Sequence, residues 1–260
     1  MNPYPVSISL SSFGADHVRS QGQASLAPLV AQTGASHIEL REELFDEFDA
    51  PSLRSAINAQ DLTCVYSSPL ELWQPGQAAP NPQLQQALAR AAACNAIWLK
   101  VSLGFHSTAS DLHLLHDQLR DQPVRLLIEN DQTAHGGRIE PLVDFFTAIA
   151  RQGLPVGMTF DIGNWQWQQQ SVSNAAQQLG RFVEYIHCKA VQRTAAGKLV
   201  ATPPELTDLH QWSRLLCHMA PGLVRAIEYP LQGSDLLAVG KAQVATLACL
   251  GQAAQEVAHG

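Results

Sequence analysis

Four short apolar runs in the second half of the chain each close on a side chain that can bind a cation. They occupy residues 124–129 (VRLLIE), 156–161 (VGMTFD), 183–187 (VEYIH) and 223–228 (LVRAIE), and end in Glu129, Asp161, His187 and Glu228. An ion held by these residues would have three carboxylate ligands and one imidazole. That mixture suits one divalent ion, Mn²⁺ first, with Mg²⁺, Co²⁺ and Zn²⁺ also compatible, whereas structural zinc draws more Cys and His. An ion with open positions can chelate an adjacent hydroxyl and carbonyl, acidify the C–H between them and stabilise the enediolate that forms. Carboxylates on either side then take the proton and return it. Glu129 and Glu228 are the natural catalytic pair, because one residue cannot serve both faces of a carbon.

Plainer readings exist for each residue. A carboxylate at a strand end also caps helices or pairs with a base; His187 could be a core histidine bonded to a carbonyl, and Glu228 could pair with Arg225 or Arg193. The joint occurrence at four successive run ends sets this group apart.

The elements that must position these residues follow from hydrophobic periodicity. Eight runs read as strands, at residues 6–11, 37–41, 62–67, 97–103, 124–129, 156–161, 183–189 and 223–229. Each is rich in apolar residues, too short for a helix and bounded by turn residues. Helical segments lie between them, with apolar spacings such as Leu112, Leu115 and Leu119. Ser110-Asp111 and Asn81-Pro82 supply helix starts, and Gly34, Gly153 and Gly222 helix ends. Eight βα repeats predict an α/β protein, a single (β/α)₈ TIM barrel across residues 1–260. In such a barrel the C-terminal strand ends converge on one mouth, where the four residues could surround one ion. Long connections at 67–80 and 191–204 are expected to hang over that mouth, as lids or as neutral surface decoration.

Composition narrows the function classes. The chain has 260 residues, 46% hydrophobic and 15% charged, with a formal net charge of −7, and it lacks the basic stripe of a nucleic-acid binder. No GxGxxG or GxxxxGK[ST] loop follows a strand. Five cysteines without CxxC spacing predict buried reduced thiols, at least at Cys64 and Cys188. With no signal-like segment and no membrane-length apolar run, a cytoplasmic protein acting on a small molecule is expected, with neither nucleic acid nor membrane as partner.

Further polar residues point toward the same mouth. Glu39 alternates into the barrel on the second strand, either as a substrate contact or in a salt bridge with Arg41 or Lys100. Lys100 could neutralise a substrate oxyanion or balance Glu39. His106 is a loop residue or a ligand; Trp73, Trp165 and Trp167 are an apolar wall or packing. His113 and His116 read as surface.

The series Ile128-Glu129-Asn130, Phe160-Asp161-Ile162-Gly163-Asn164, Ile186-His187-Cys188-Lys189 and Ile227-Glu228-Tyr229 resembles the xylose-isomerase-like TIM-barrel superfamily of sugar isomerases and epimerases. D-tagatose 3-epimerase, inosose isomerase, hydroxypyruvate isomerase and, more distantly, abasic-site endonucleases are members of it. The resemblance spans nearly the whole chain. It implies that Glu129, Asp161, His187 and Glu228 hold one divalent ion and that the two glutamates are acid/base catalysts. It also implies that Arg193 contacts substrate oxygens and that Glu39 is a polar site residue. Asn164 stands where many relatives have histidine, and His135 where ketose epimerases have glutamate; both are expected at the substrate and set this chain apart from tagatose-type enzymes. Gly136-Gly137 and Arg193 are candidate phosphate contacts.

The function expected is a metal-dependent isomerase or epimerase of a sugar or keto-polyol, working through an enediolate. The alternatives are a metal-dependent dehydratase of an inosose or dehydroshikimate type and a non-catalytic sugar-binding barrel. By analogy with relatives, a homodimer or homotetramer is expected.

Overall fold

The computed structural model describes residues 4–251. Its elements run β1 (Val6–Ser9), α1 (Ala15–Gln21), α2 (Ala27–Gln32), β2 (His37–Arg41), α3 (Ala50–Asn58), β3 (Thr63–Trp73), α4 (Leu84–Ala93), β4 (Ala96–Gly104), α5 (Leu112–Leu119), β5 (Arg125–Glu129), α6 (Ile139–Gln152), β6 (Val156–Asp161), α7 (Val172–Leu179), β7 (Val183–Cys188), β8 (Ala190–Arg193), β9 (Leu199–Thr202), α8 (Leu206–Leu215), β10 (Val224–Ile227) and α9 (Leu236–Ala248). Strands β1 to β7 pair in sequence order, and β10 closes the circle between β7 and β1. Every barrel pairing is parallel. This is the expected (β/α)₈ TIM barrel.

The helices bury one face against the outside of the sheet. In α6, Leu142, Phe145, Phe146 and Ile149 fall on one stripe at helical spacing and are all buried, and Gly153 ends the helix in the left-handed conformation. Asp111 caps α5 by accepting from the Leu114 N–H. Pro82 is not the first residue of α4: the Asn81 side chain accepts from the Gln83 N–H, and the helix begins two residues later.

Inside the barrel the strands contribute alternate residues in layers. The lower layer is apolar, with Val65, Leu127, Tyr185, Val224 and Ala226 packed against Trp98. One step up, Ser67 sits beside Lys100; a step further, Glu71, Ser102 and Glu129 share one row across β3, β4 and β5. Asp161 lies in register with His187 on the far wall. Polarity therefore rises toward the C-terminal mouth.

Both expected lids take another form. The segment 67–80 does not begin as a loop, because β3 continues to Trp73 and pairs Glu71 with Ser102 and Trp73 with Gly104. Ser67, Ser68 and Pro69 read as a stop, yet they form a register shift that absorbs a proline lacking a ladder donor. Burial of Leu70, Leu72 and Trp73 resumes the strand beyond it. The segment 191–204 is largely an antiparallel hairpin of β8 and β9, closed by a turn in which Gly197 has φ 81°. Cys64, Cys94 and Cys188 are buried and Cys217 and Cys249 exposed, all as free thiols. No helix among the described residues is long and apolar enough to cross a membrane.

Gly104 ends β4 at φ 68°, and a Cβ there would lie 2.3 Å from the Trp73 carbonyl oxygen. Gly104→Ala is therefore expected to destabilise the fold by about 2 kcal/mol or more, through both left-handed strain and a backbone clash. Urea denaturation checks this; a midpoint equal to the parent's would show that the end of β3 yields freely.

Candidate metal centre at the barrel mouth

Glu129, Asp161 and His187 are placed by β5, β6 and β7, and Glu228 follows β10 directly, its N–H donating to the Cys188 carbonyl. One ligand atom from each of the four lies within 4.8 Å of every other. His187 Nδ1 stands 2.8 Å from Glu129 Oε1, 3.1 Å from Glu228 Oε2 and 3.9 Å from Asp161 Oδ2. Glu129 Oε1 and His187 Nδ1 are buried without a hydrogen-bond partner, their approach lacking hydrogen-bond geometry, and Asp161 Oδ2 is buried with the Lys189 ammonium 2.6 Å away. Buried polar atoms left unsatisfied are costly and rare. Two such atoms, together with oxygens of Asp161 and Glu228 converging on the same point, fit a divalent cation by donor type and by convergence.

A shell of side chains orients each ligand atom. Glu39 Oε2 sits 2.7 Å from His187 Nε2 and also accepts from the Tyr185 hydroxyl at 2.8 Å. A carboxylate there keeps a proton on Nε2 and leaves Nδ1 turned toward the cluster. Asp161 Oδ1 accepts from the Gly163 and Asn164 backbone N–H groups, so Oδ2 is the oxygen that faces inward. Asn130 stitches β5 to β6: its amide donates to the Asp161 carbonyl, and its oxygen accepts from the Asp161 N–H. Gly163 is required here, since a Cβ would lie 2.7 Å from Lys189 Cγ and 2.9 Å from the Lys189 carbonyl oxygen.

Cations interleave the carboxylates. Lys189 Nζ bridges Asp161 Oδ2 at 2.6 Å and Glu228 Oε2 at 2.7 Å. Lys100 Nζ lies 2.6 Å from Glu129 Oε2, and Arg41 Nη1 lies 2.8 Å from Glu228 Oε1 and 3.2 Å from Glu39 Oε1. Burial raises the carboxyl pKa values in this cluster, but for three of them the cations outweigh it. Glu39 falls to about 2, chiefly through His187 and Lys100. Glu129 is lowered by Lys100 and His187, and Glu228 well below its usual value by His187 and Lys189. Burial likewise disfavours the His187 imidazolium, yet Glu228 and Glu39 hold its pKa well above the ordinary value. Asp161 is the exception: burial lifts it to about 7, with Glu228 and Glu129 adding to the shift and Lys189 opposing it.

The remaining expected residues divide. Glu39 and Lys100 join the cluster, each through both a salt bridge and the site itself. Asn164 is one step removed: its amide donates to the Asn130 carbonyl and its oxygen accepts from Gln132. His135 is on the rim, its Nε2 2.7 Å from Glu71 Oε1 and its ring stacked 3.7 Å from that of Phe105. Arg193 is not brought to the cluster; it is exposed on β8, its Nη1 donating to the Gly197 carbonyl of its own hairpin. Glu228 pairs with Arg41 and Lys189 rather than with Arg225 or Arg193. Trp73 and Trp165 are fully buried, so their role is packing.

Arg41 pairs with Glu39, as one reading of the sequence has it, but its contact with Glu228, and the places of Lys189, Tyr185 and Glu71, are not singled out by residue type. Strand parity points to three of them, since Arg41 lies two residues from Glu39, and Tyr185 and Lys189 two residues either side of His187. A cavity of about 520 Å³ opens beside Glu129, Lys100 and Arg41 and extends toward Glu71 and Thr133.

No known family profile matches the chain, and no curated protein resembles it by sequence. Solved structures do resemble it. A xylose isomerase domain containing protein from Salmonella typhimurium superposes with TM-score 0.70 at 14% identity, covering 97% of this chain and 99% of that one. L-ribulose 3-epimerase gives TM-score 0.71 at 14% identity, over 100% and 97% of the two chains. IolI, solved with a bound zinc atom, gives 0.68 at 11% identity over 95% of each. The chain therefore shares the (β/α)₈ barrel fold of these structures.

The raised Asp161 pKa makes a prediction about the chelator-treated protein. The unfolded chain releases this proton near the ordinary value of 3.8, whereas the folded protein holds it to about 7, so this group's contribution to stability falls as pH rises across that window. Asp161→Asn should therefore melt a few degrees above the parent near pH 8 and close to it around pH 4.5. A melting difference that is the same at both pH values would remove the buried-carboxyl explanation.

Proposed function

We propose that this protein is a divalent-metal-dependent isomerase or epimerase of a sugar or keto-polyol, acting by proton transfer at a carbon next to a carbonyl. One observation carries the reading: ligand atoms of three carboxylates and one imidazole converge within 4.8 Å of one another beside a polar cavity at the barrel mouth. L-ribulose 3-epimerase and D-psicose 3-epimerase, both of like fold, support this class, and the zinc atom bound to IolI supports a metal in such a barrel.

Glu129, Asp161, His187 and Glu228 would hold the ion, which when bound supplies the Lewis acidity that lowers the barrier to removing the C–H proton. Mn²⁺ is the ion proposed, with Zn²⁺, Mg²⁺ and Co²⁺ as alternatives of the same donor chemistry. Asp161 and His187 are fully buried, whereas the Glu129 and Glu228 side chains are 14% and 12% exposed. The two glutamates are thus the members of the set that reach out to a substrate. Both are ionised as held here and ready to accept a proton. Glu129 takes the proton from one face and Glu228 serves the other, with Lys100 and Arg41 beside them to stabilise negative charge on substrate oxygens.

Two measurements test this. Mn²⁺ must take the His187 Nδ1 lone pair and the Asp161 carboxylate, both proton-bearing at mildly acidic pH, so binding should release protons and tighten at least about tenfold from pH 6 to pH 8. Calorimetry in buffers of different ionisation enthalpy reads this; affinity independent of pH would argue against these ligands. In D₂O with Mn²⁺, a panel of ketoses and inososes should show deuterium uptake at the carbon beside the carbonyl, and Glu228→Gln should slow turnover at least about a hundredfold with a smaller change in KM. Unimpaired exchange in both Glu129→Gln and Glu228→Gln would eliminate the two-glutamate mechanism.

A further inference from the structure

The cavity beside the cluster is electrostatically lopsided, and this bears on which substrates fit it. Resting on the reading above, we propose that the substrate end remote from the ion is an uncharged polyhydroxyl group read by Glu71, and that sugars phosphorylated at that end are excluded. The cavity's two cations, Arg41 and Lys100, both stand on the ion-site side. Each is already held by carboxylates, Arg41 by Glu228 and Glu39, and Lys100 by Glu129.

The other side has the opposite character. Glu71 and Glu129 occupy one row with Ser102 between them, so two strand spacings, roughly 10 Å, separate their backbones. Around Glu71 the wall is lined by Gln74, Asn81, Ser102 and Thr133, none of them charged, together with the Asp131 carboxylate. Glu71 Oε1 is anchored by His135 Nε2 at 2.7 Å, and the His135 ring is braced on Phe105. No hydrogen bond engages Glu71 Oε2 among the described residues, which leaves a fixed acceptor for a substrate hydroxyl.

A phosphate needs the reverse: free backbone N–H groups or an arginine fork. The two features that could have supplied them are committed elsewhere. The Gly136 N–H donates to Thr133 Oγ1 and the Gly137 N–H to the Thr133 carbonyl, while Arg193 is turned to its own hairpin. A phosphate at the remote wall would face two carboxylates with no free cation, and like charges in a partly buried cavity discriminate strongly.

The test is ligand-observed saturation-transfer NMR on the Mg²⁺-loaded protein, titrated with sorbitol and with sorbitol 6-phosphate. Sorbitol should bind at least about tenfold more tightly than its phosphate. Glu71→Gln should narrow that ratio and Glu71→Lys should invert it, with thermal melts confirming that each variant is folded. Equal or tighter binding of the phosphate to the parent, a preference insensitive to both Glu71 variants, or saturation transfer to neither polyol would each overturn the proposal. Failure of the proton-transfer reading shows up separately, as absence of C–H exchange in D₂O.

Discussion

Concentrating four carboxylates in one barrel mouth is the constraint on which the rest of this structure turns. Glu39, Glu129, Asp161 and Glu228 each lose hydration and repel one another, and a buried charge left without a partner costs on the order of 3–5 kcal/mol. Arg41, Lys100, Lys189 and His187 answer this by sitting between them, with carboxylate contacts of 2.6–3.2 Å. No cation serves one carboxylate alone: Lys189 joins Asp161 to Glu228, Arg41 joins Glu228 to Glu39, and His187 meets Glu39, Glu129 and Glu228. The cluster behaves as one body, and the effects of changing its members will not add.

The backbone makes such a body feasible. Parallel register puts Asp161 opposite His187 and Glu129 in the row of Ser102 and Glu71, so sequence-distant groups arrive at one level without adjustable loops. Hydrogen bonds beyond the strand ends then remove the remaining freedom. Two backbone donors claim Asp161 Oδ1, the Asn130 side chain extends the ladder between β5 and β6, and Glu39 claims His187 Nε2. What is left pointing inward is one atom per ligand. Groups held so rigidly need little reorganisation when charge develops next to them.

The same arrangement sets a direction across the mouth. The side that holds the carboxylate cluster is rich in mutually satisfied charge, whereas the wall formed by the far end of β3 and the loop after β5 is lined mostly by neutral polar groups under a negative bias. Extension of β3 past Pro69 is what brings Glu71 to that wall, and the register shift lets the strand pass a residue that cannot donate.

Much of this was legible in the chain alone. Period-two and short-run hydrophobic patterns located all eight barrel strands, because burial on both faces of a parallel strand leaves a signal in local composition. The strand-end positions of Glu129, Asp161, His187 and Glu228 were visible for the same reason, and closure of a barrel turns that shared register into proximity. Three things were decided only in three dimensions. The extension of strand β3 depends on pairing with β4, far along the chain, and local turn residues such as Ser67, Ser68 and Pro69 outweigh that signal in sequence; the β8–β9 hairpin pairs sequence neighbours but is only partly buried, so it leaves no apolar run. Charge pairing depends on side-chain reach across the barrel, so nothing near Glu228 in sequence names Arg41, and Arg193 finds a carbonyl in its own hairpin. Finally, which oxygen or nitrogen of Asp161 and His187 faces the centre is settled by second partners such as Glu39, Gly163 and Asn164: sequence specifies the donor types, and tertiary hydrogen bonding selects the atoms that face inward.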